Sequence, residues 1–349
     1  MKKFKYDSML KTNPFITISI PSLNRIESLK LVINSILIQT FSDYEILIID
    51  DHSDDDIGSF IKSLKSKKIR LINNKKRVGF KSVYSMALLK ARGEYVITLG
   101  NDDILCDKNS LKNISIKLKN KKVGLAKVGL IYYYKSIDKP CFSTSLEEKN
   151  IYIPGKNHNE IFRAVDRYGL THIAGNIYLR ELITKKSFLD NELTPFLSTI
   201  IECAVAKGFM FIVNEYIAVG VSTSYLSIFS QKSSYKKFWF FVMYELSKKY
   251  LGEQYAKKDV KQKMIVQIPN FIAIKQYVGI SELVHLVQAY IIFDKLFLFN
   301  VKLYVSLLAS FIVPRFLFLR IRDWRYEKMI GKFHPPEKYW HVHKIIQLS

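Results

Sequence analysis

Cysteine is scarce in this chain. Cys106, Cys141 and Cys203 are its only three, odd in number and far apart, so neither a disulfide framework nor a C-x-x-C metal site is present. A reducing compartment, the cytoplasm, follows as the expected location. Acidic residues are also in short supply: 31 Asp and Glu face 54 Lys and Arg, a formal net charge of +23. That excess suits nucleic acid, an anionic membrane surface or anionic small substrates, and lysine spread along the whole chain suits a solvated surface equally well. Long apolar runs are missing too. The uncharged stretch from Leu303 to Pro314, between Lys302 and Arg315, falls well short of the roughly 20 residues a spanning helix needs. The N-terminal Met1-Lys2-Lys3-Phe4-Lys5 leads into no apolar h-region, so no secretory signal is expected. H-E-x-x-H, G-x-x-x-x-G-K-[ST] and G-x-G-x-x-G do not occur, which leaves zinc-protease, P-loop and dinucleotide readings without support. There is no internal repeat and no low-complexity linker.

What is present is 48% hydrophobic and 13% aromatic residues, enough for a substantial core. The first hundred residues alternate short β-rich runs with helical spacing, the pattern of βαβ units and a largely parallel sheet. Strands are predicted at Phe15–Ile20, stopped by Pro21, and at Tyr44–Asp50, Ile69–Ile72 and Tyr95–Leu99. Helices are predicted between Glu27 and Gln39, at Ile57–Leu64 and at Val83–Ala91. Further on, Val123–Tyr134 and Phe209–Val213 read as strands, and Glu160–Tyr168 and Pro195–Ala206 as helices. Beyond about Tyr235 the composition turns to aromatic and aliphatic helical stretches, Phe238–Leu246 and Leu283–Leu319. The chain is therefore divided into an α/β domain, residues 1–230, and a helical, basic region, residues 231–349. Basic residues around Leu296–Ile321 fit either packing on the main domain or a peripheral position in a membrane interface.

Parallel pairing aligns Pro21, Asp50-Asp51, Asn73-Asn74 and Asn101-Asp102-Asp103 on one sheet edge, where open α/β sheets bind ligands. Asp50 and Asp51 suit acceptors for nucleobase N–H or ribose hydroxyls, or the cap of a following helix. Asp102 and Asp103 suit a cation bridging two phosphates, and Asn-Asp-Asp is equally good turn chemistry. The Asn74 to Phe80 loop sets Gly79 among basic residues that include Arg77, an arrangement for a phosphate or an ordinary loop. His172, near Gly175 and Asn176, suits either an acceptor sugar or a hydrogen-bonded core position.

Taken in order, Ile18 to Arg25, Ser35 to Phe41, Tyr44 to Asp51 and Ala91 to Asp103 resemble the family 2 glycosyltransferases, including bacterial O-antigen and capsular enzymes of the abequosyltransferase type. The resemblance implies the GT-A nucleotide-diphospho-sugar transferase fold, a Rossmann-like, mostly parallel sheet flanked by helices, with a helical C-terminal region. It implies glycosyl transfer, hexosyl or deoxyhexosyl, from a nucleotide-diphosphate sugar, with Pro21, Asn24, Arg25, Asp50, Asp51, Arg77 and Gly79 at the nucleotide. It further implies Mn2+ or Mg2+ at Asp102 and Asp103, and a glycan acceptor, lipid-linked, at the cytoplasmic face of the inner membrane. No nucleic-acid partner is expected. Two departures stand out. Gly100 replaces the first acid of the family's D-x-D, and Phe196-Leu197 replace its Glu-Asp pair, so the base is sought at Asp190, with Glu192 and Glu202 behind it. A nucleotidyltransferase, a basic nucleic-acid-binding protein and a non-catalytic membrane scaffold remain the rival readings.

Overall fold

The computed structural model describes residues 13–144, 147–184, 196–221, 239–277 and 279–342. Its frame is a ten-stranded sheet in the order β3-β2-β1-β4-β9-β6-β10-β5, with β7 on β6 and β8 on β10. The first four strands are β1 (Ile16–Ser22), β2 (Tyr44–Asp50), β3 (Ile69–Asn73) and β4 (Tyr95–Thr98). All three of their pairings are parallel, with Ser22 opposite Asp50, Asp50 opposite Asn73 and Ser19 opposite Thr98. β1, β2 and β4 are apolar and covered on both faces, as parallel strands require. Pro21 lies within β1 instead of ending it, and the register brings the expected residues to one edge.

The crossover helices are α1 (Ile26–Leu37), α2 (Ile57–Ser63) and α3 (Phe80–Leu89). α1 buries Leu29, Val32, Ile33 and Ile36, spaced at one face of a helix. α3 starts three residues earlier than its apolar spacing indicates, because Gly79, at φ 84°, turns the chain into it.

The rest of the sheet is mixed. β6 (Leu125–Tyr133) pairs antiparallel with β9 (Asn176–Leu179), which pairs antiparallel with β4, so β6 points the same way as β4. β10 (Phe209–Gly220) runs parallel to β6 through a register shift between Ile212 and Tyr216, and extends seven residues past its expected end. The short strands β5 (Ile104–Leu105), β7 (Pro140–Ser143) and β8 (Ile151–Ile153) add antiparallel edges. α4 (Ser110–Asn120), α5 (His158–Arg167) and α6 (Leu197–Lys207) flank this half.

The C-terminal region comprises α7 (Trp239–Leu251), α8 (Glu253–Gln267), α9 (Phe271–Tyr277), α10 (Ile280–Phe293), α11 (Val301–Ile312) and α12 (Arg315–Ile330). The Leu283–Leu319 stretch is thus three helices, interrupted where Asp294 and Asn300 cap new turns and where Pro314 precedes α12. The boundary expected at residues 230–231 lies outside the described residues. On either side of it one apolar cluster joins Tyr84, Phe162 and Phe211 to Phe240, Met264 and Tyr290. Among the described residues no single helix is long and apolar enough to cross a membrane; α11 and α12 meet that length and composition only together, across a 111° bend.

The chain then returns to the α/β half. Tyr339 and Val342 are buried against Ile104, Cys106, Tyr216 and Ala218. Lys338 Nζ reaches the buried Glu215 Oε1 at 3.0 Å, and Asn113 donates to the same oxygen at 2.8 Å. Nearby, His341 pairs with Asp107 Oδ2 at 2.9 Å. A C-terminal strap is therefore fastened just behind the strand tip that carries Asp102 and Asp103.

Candidate active site

The C-terminal edge of the parallel sheet brings two groups of side chains into proximity. The first is organised by Asp51, buried at the end of β2. Its Oδ1 accepts from the Val78 amide at 2.8 Å and from Asn74 Nδ2 at 3.1 Å, and its Oδ2 accepts from the Gly79 amide at 2.9 Å. The carboxylate therefore fixes the basic loop before α3. Within that loop Arg77 Nη2 lies 2.7 Å from Asp54 Oδ2, an exposed pair. Asp50 instead accepts from Ser53, through both its amide and its hydroxyl. Asn24 Oδ1 accepts from the Asp54 amide at 2.8 Å, and Asn24 and Arg25 both adopt left-handed backbone, φ 57° and 61°. That turn lifts Arg25 across the edge.

The second group is the strand tip. Arg25 Nη1 donates to Asp102 Oδ2 at 2.8 Å. Both partners are partly exposed, so the pair is worth only about 0.2–1 kcal/mol, little enough for a ligand to displace. Asp103 is only 2% exposed, and its Oδ2 accepts from the Gly100 amide. A Cβ on residue 100 would come within 2.9 Å of Asp103 Oδ2 and 3.1 Å of Asp102 Oδ1. The glycine that breaks the D-x-D pattern thus leaves room for both carboxylates that follow it.

Beneath the tip lies Lys127, fully buried in β6, whose Nζ donates to the His172 carbonyl at 3.1 Å and the Ala174 carbonyl at 2.6 Å. Burial, then the neighbouring Asp102 charge, pushes the Asp103 carboxyl up to about 8, against the opposing Gly100 amide and Lys127. Burial pushes Lys127 down to about 7, against the pull of Asp103. Asp102 is also raised by burial, with Arg25 opposing. Tyr133, at the end of β6, is raised to about 12 by burial and by these two carboxylates.

His172 is buried; its Nδ1 accepts from the Ala174 amide at 3.2 Å, and its ring meets Tyr132 edge-on. Burial, then Lys127, pushes it down to about 3, so it is neutral. Asn176 Nδ2 donates to the Leu170 and His172 carbonyls, and among the described residues its buried Oδ1 has no hydrogen-bond partner. Pro21 lies along the same edge. Glu202 is half-buried on α6, whereas Asp190 and Glu192 lie outside the described residues.

Sequence reasoning missed Lys127 and Tyr133. The signal for Lys127 was a lysine inside an otherwise apolar strand, a charge that demands buried partners.

Asp102 suits a hard cation: it is a partly exposed carboxylate at a strand tip, and cations of this class take one or two protein carboxylates when phosphates supply the remaining ligands. Among the described residues no group of three or more His, Cys, Asp or Glu side chains gathers to hold a metal alone.

The basic loop and the acidic tip thus stand at the C-terminal edge of an open α/β sheet, where such sheets bind ligands. Residues 17–171 match the model for glycosyl transferase family 2. Three curated relatives agree. The putative colanic acid biosynthesis glycosyl transferase WcaA of Escherichia coli K12 is 32% identical over 27% of this chain and 34% of its own length. The Escherichia coli UDP-Glc:alpha-D-GlcNAc-diphosphoundecaprenol beta-1,3-glucosyltransferase WfgD is 30% identical over 30% and 42%. The poly(ribitol-phosphate) beta-N-acetylglucosaminyltransferase TarP of Staphylococcus aureus N315 is 33% identical over 43% and 46%. The chain thus spans less than half the length of each of these three. Among solved structures, Staphylococcus aureus TarS 1–349 in complex with UDP-GlcNAc superposes with a TM-score of 0.61 over 80% of both chains, at 15% identity. The fold is GT-A, as the resemblance implied.

Proposed function

We propose that this protein transfers a glycosyl group, hexosyl or deoxyhexosyl, from a nucleoside-diphosphate sugar to a hydroxyl of a bacterial surface glycan. The growing glycan is carried on a lipid diphosphate at the cytoplasmic face of the inner membrane. The observation that carries this reading is the meeting of the Asp51-held basic loop with the Arg25–Asp102 pair on one sheet edge. The loop and the Asn24-Arg25 turn frame the nucleotide, with Pro21, Asp50 and Gly79 shaping the walls. The guanidinium of Arg25, moving off Asp102, meets diphosphate oxygens with matched geometry. Mn2+ or Mg2+ bound at Asp102, with Asp103 behind it, would neutralise the charge on the departing diphosphate. The acceptor oxygen forms the new bond to the anomeric carbon on the face opposite the diphosphate, the bond from that carbon to the diphosphate oxygen breaks with its electron pair, and the base takes the hydroxyl proton. Inversion follows from the direct displacement. Asp190 is the proposed base, ahead of Glu192 and Glu202, and His172 and Asn176 shape the acceptor side through the loop that Lys127 holds.

WfgD, a glucosyltransferase whose acceptor is a GlcNAc-diphosphoundecaprenol, supports the acceptor class. The test is a thermal-shift and product screen of nucleotide sugars with and without manganese or magnesium. The reading expects stabilisation by one donor and release of a nucleoside diphosphate. Release of inorganic diphosphate from a nucleoside triphosphate, or no response to any donor, would overturn it.

A further inference from the structure

We propose that the outward face of α11 and the first half of α12, with the preceding turn Lys295–Phe299, is a docking surface for an anionic lipid bilayer. The proposal deepens the lipid-linked acceptor reading by locating where the protein meets the membrane.

α11 is amphipathic in the inverted sense. The positions it buries are Leu303, Ser306 and Ser310, while Val301, Tyr304, Val305, Leu308, Phe311 and Ile312 are exposed. Positions 301, 304, 305, 308 and 312 follow the spacing of one helical stripe, so the apolar face is continuous and points outward. The turn before it adds Phe299, which is 81% exposed. α12 buries no residue; its first half exposes Phe316, Leu317 and Ile321, and Trp324, two residues beyond, is exposed as well. Hiding serines while showing this many large apolar side chains is unfavourable against water and favourable against acyl chains.

Charge selects the occupant. From residue 295 to residue 328 the chain carries seven Lys and Arg against two acids, Asp323 and Glu327. Both acids are already engaged, Asp323 by Tyr134 and Arg322, and Glu327 by Lys135. Protein interfaces place little lysine or net charge beside their apolar centres, whereas interfacial helices combine Lys and Arg with Phe, Leu and Trp. The 111° bend and the short helices on either side of it favour lying in the interface over crossing the bilayer.

The topology places this surface usefully. β6 ends at the same sheet edge as β4, and its last residues face two ways. Tyr133 feels the Asp102 and Asp103 charges, while the adjacent Tyr134 donates to Asp323 Oδ1 at 2.5 Å and stacks on Tyr326 of α12 with ring centres 4.7 Å apart. The bilayer-facing helix is therefore anchored at the edge that holds the strand tip, where a lipid diphosphate needs to arrive.

The test uses the full chain with phosphatidylcholine vesicles, with and without phosphatidylglycerol, and no donor. The proposal expects at least tenfold stronger cosedimentation with the anionic vesicles, weakened by salt, and quenching by brominated lipid of a tryptophan signal that Trp324→Phe removes. The double variant Leu308→Glu with Phe311→Glu should lose binding tenfold or more without a lower melting temperature. Should that variant fail to fold, the wild-type quenching decides alone. Absence of binding to both vesicles overturns the proposal, as does a dimer that the variant dissolves in a protein that binds no vesicle. Nucleoside diphosphate release from a soluble donor, measured without vesicles, tests the transferase reading separately, so the two can fail independently.

Discussion

Gly100→Ala probes the strand tip most sharply. The new Cβ would stand 2.9 Å from Asp103 Oδ2 and 3.1 Å from Asp102 Oδ1, each a few tenths of an ångström inside ordinary contact. Asp103 cannot swing away freely, because it is buried and its Oδ2 is held by the Gly100 amide itself. Overpacking of this kind costs about 1–3 kcal/mol. Weakening the hydrogen bond from the Gly100 amide adds part of a further 0.5–1.5 kcal/mol or so. A total of about 2–4 kcal/mol lowers the melting temperature by roughly 3–6 °C in a chain of this size. Gly100→Asp, which restores the usual first acid of the family pattern, adds a third carboxylate to the same space and should be worse still. Calorimetry without added cation, followed by donor turnover with manganese, checks both variants. A melting temperature within about 1 °C of wild type together with full turnover in Gly100→Ala would refute the reasoning.

The strap and the buried charges give two further tests. Lys338→Ala leaves Glu215 buried beside Asn113 alone and should destabilise by about 1–3 kcal/mol, read by urea unfolding; Glu215→Gln in the same chain should recover much of the loss. For pH, Asp103 is raised from 3.8 to about 8, so its contribution to stability is complete below the ordinary value and lost as pH rises through about 8. Lys127 is lowered from 10.5 to about 7, so its contribution is complete above 10.5 and lost as pH falls through about 7. Stability should pass through a minimum near pH 7–8, and Asp103→Asn should flatten the limb below it; parallel curves for wild type and variant from pH 4.5 to 9.5 would contradict this.

The ligand edge was legible because β1, β2 and β4 are mostly apolar runs of strand length that lead into Asn24, Asp51 and Asn101, so strand length and polarity mark where the chain leaves the core. Their parallel pairing then followed from the alternation with helices, whereas the order of the strands did not. β5, β7 and β8 were not legible: strands of two to four residues are held by pairing with β10 and β6, with little local pattern of their own. α4 was missed although Leu111, Ile114 and Leu118 keep helical spacing, since three lysines dilute the signal. The strap depends on Lys338 meeting Glu215 across 123 positions, a contact no local window contains. Leu283–Leu319 reads as apolar helix throughout, but which side of α11 faces outward depends on tertiary packing. At the tip, the missing acid was visible as Gly100, while its reason, the room needed by two carboxylates, required the fold.

The most direct measurement is donor turnover by Asp102→Asn, read as nucleoside diphosphate released from the nucleotide sugar that stabilises the wild type. The substitution keeps shape and removes charge at the partly exposed carboxylate opposite Arg25. The account predicts an unchanged melting curve and a loss of about a hundredfold or more in turnover. Turnover equal to wild type, with the same dependence on manganese, would contradict it.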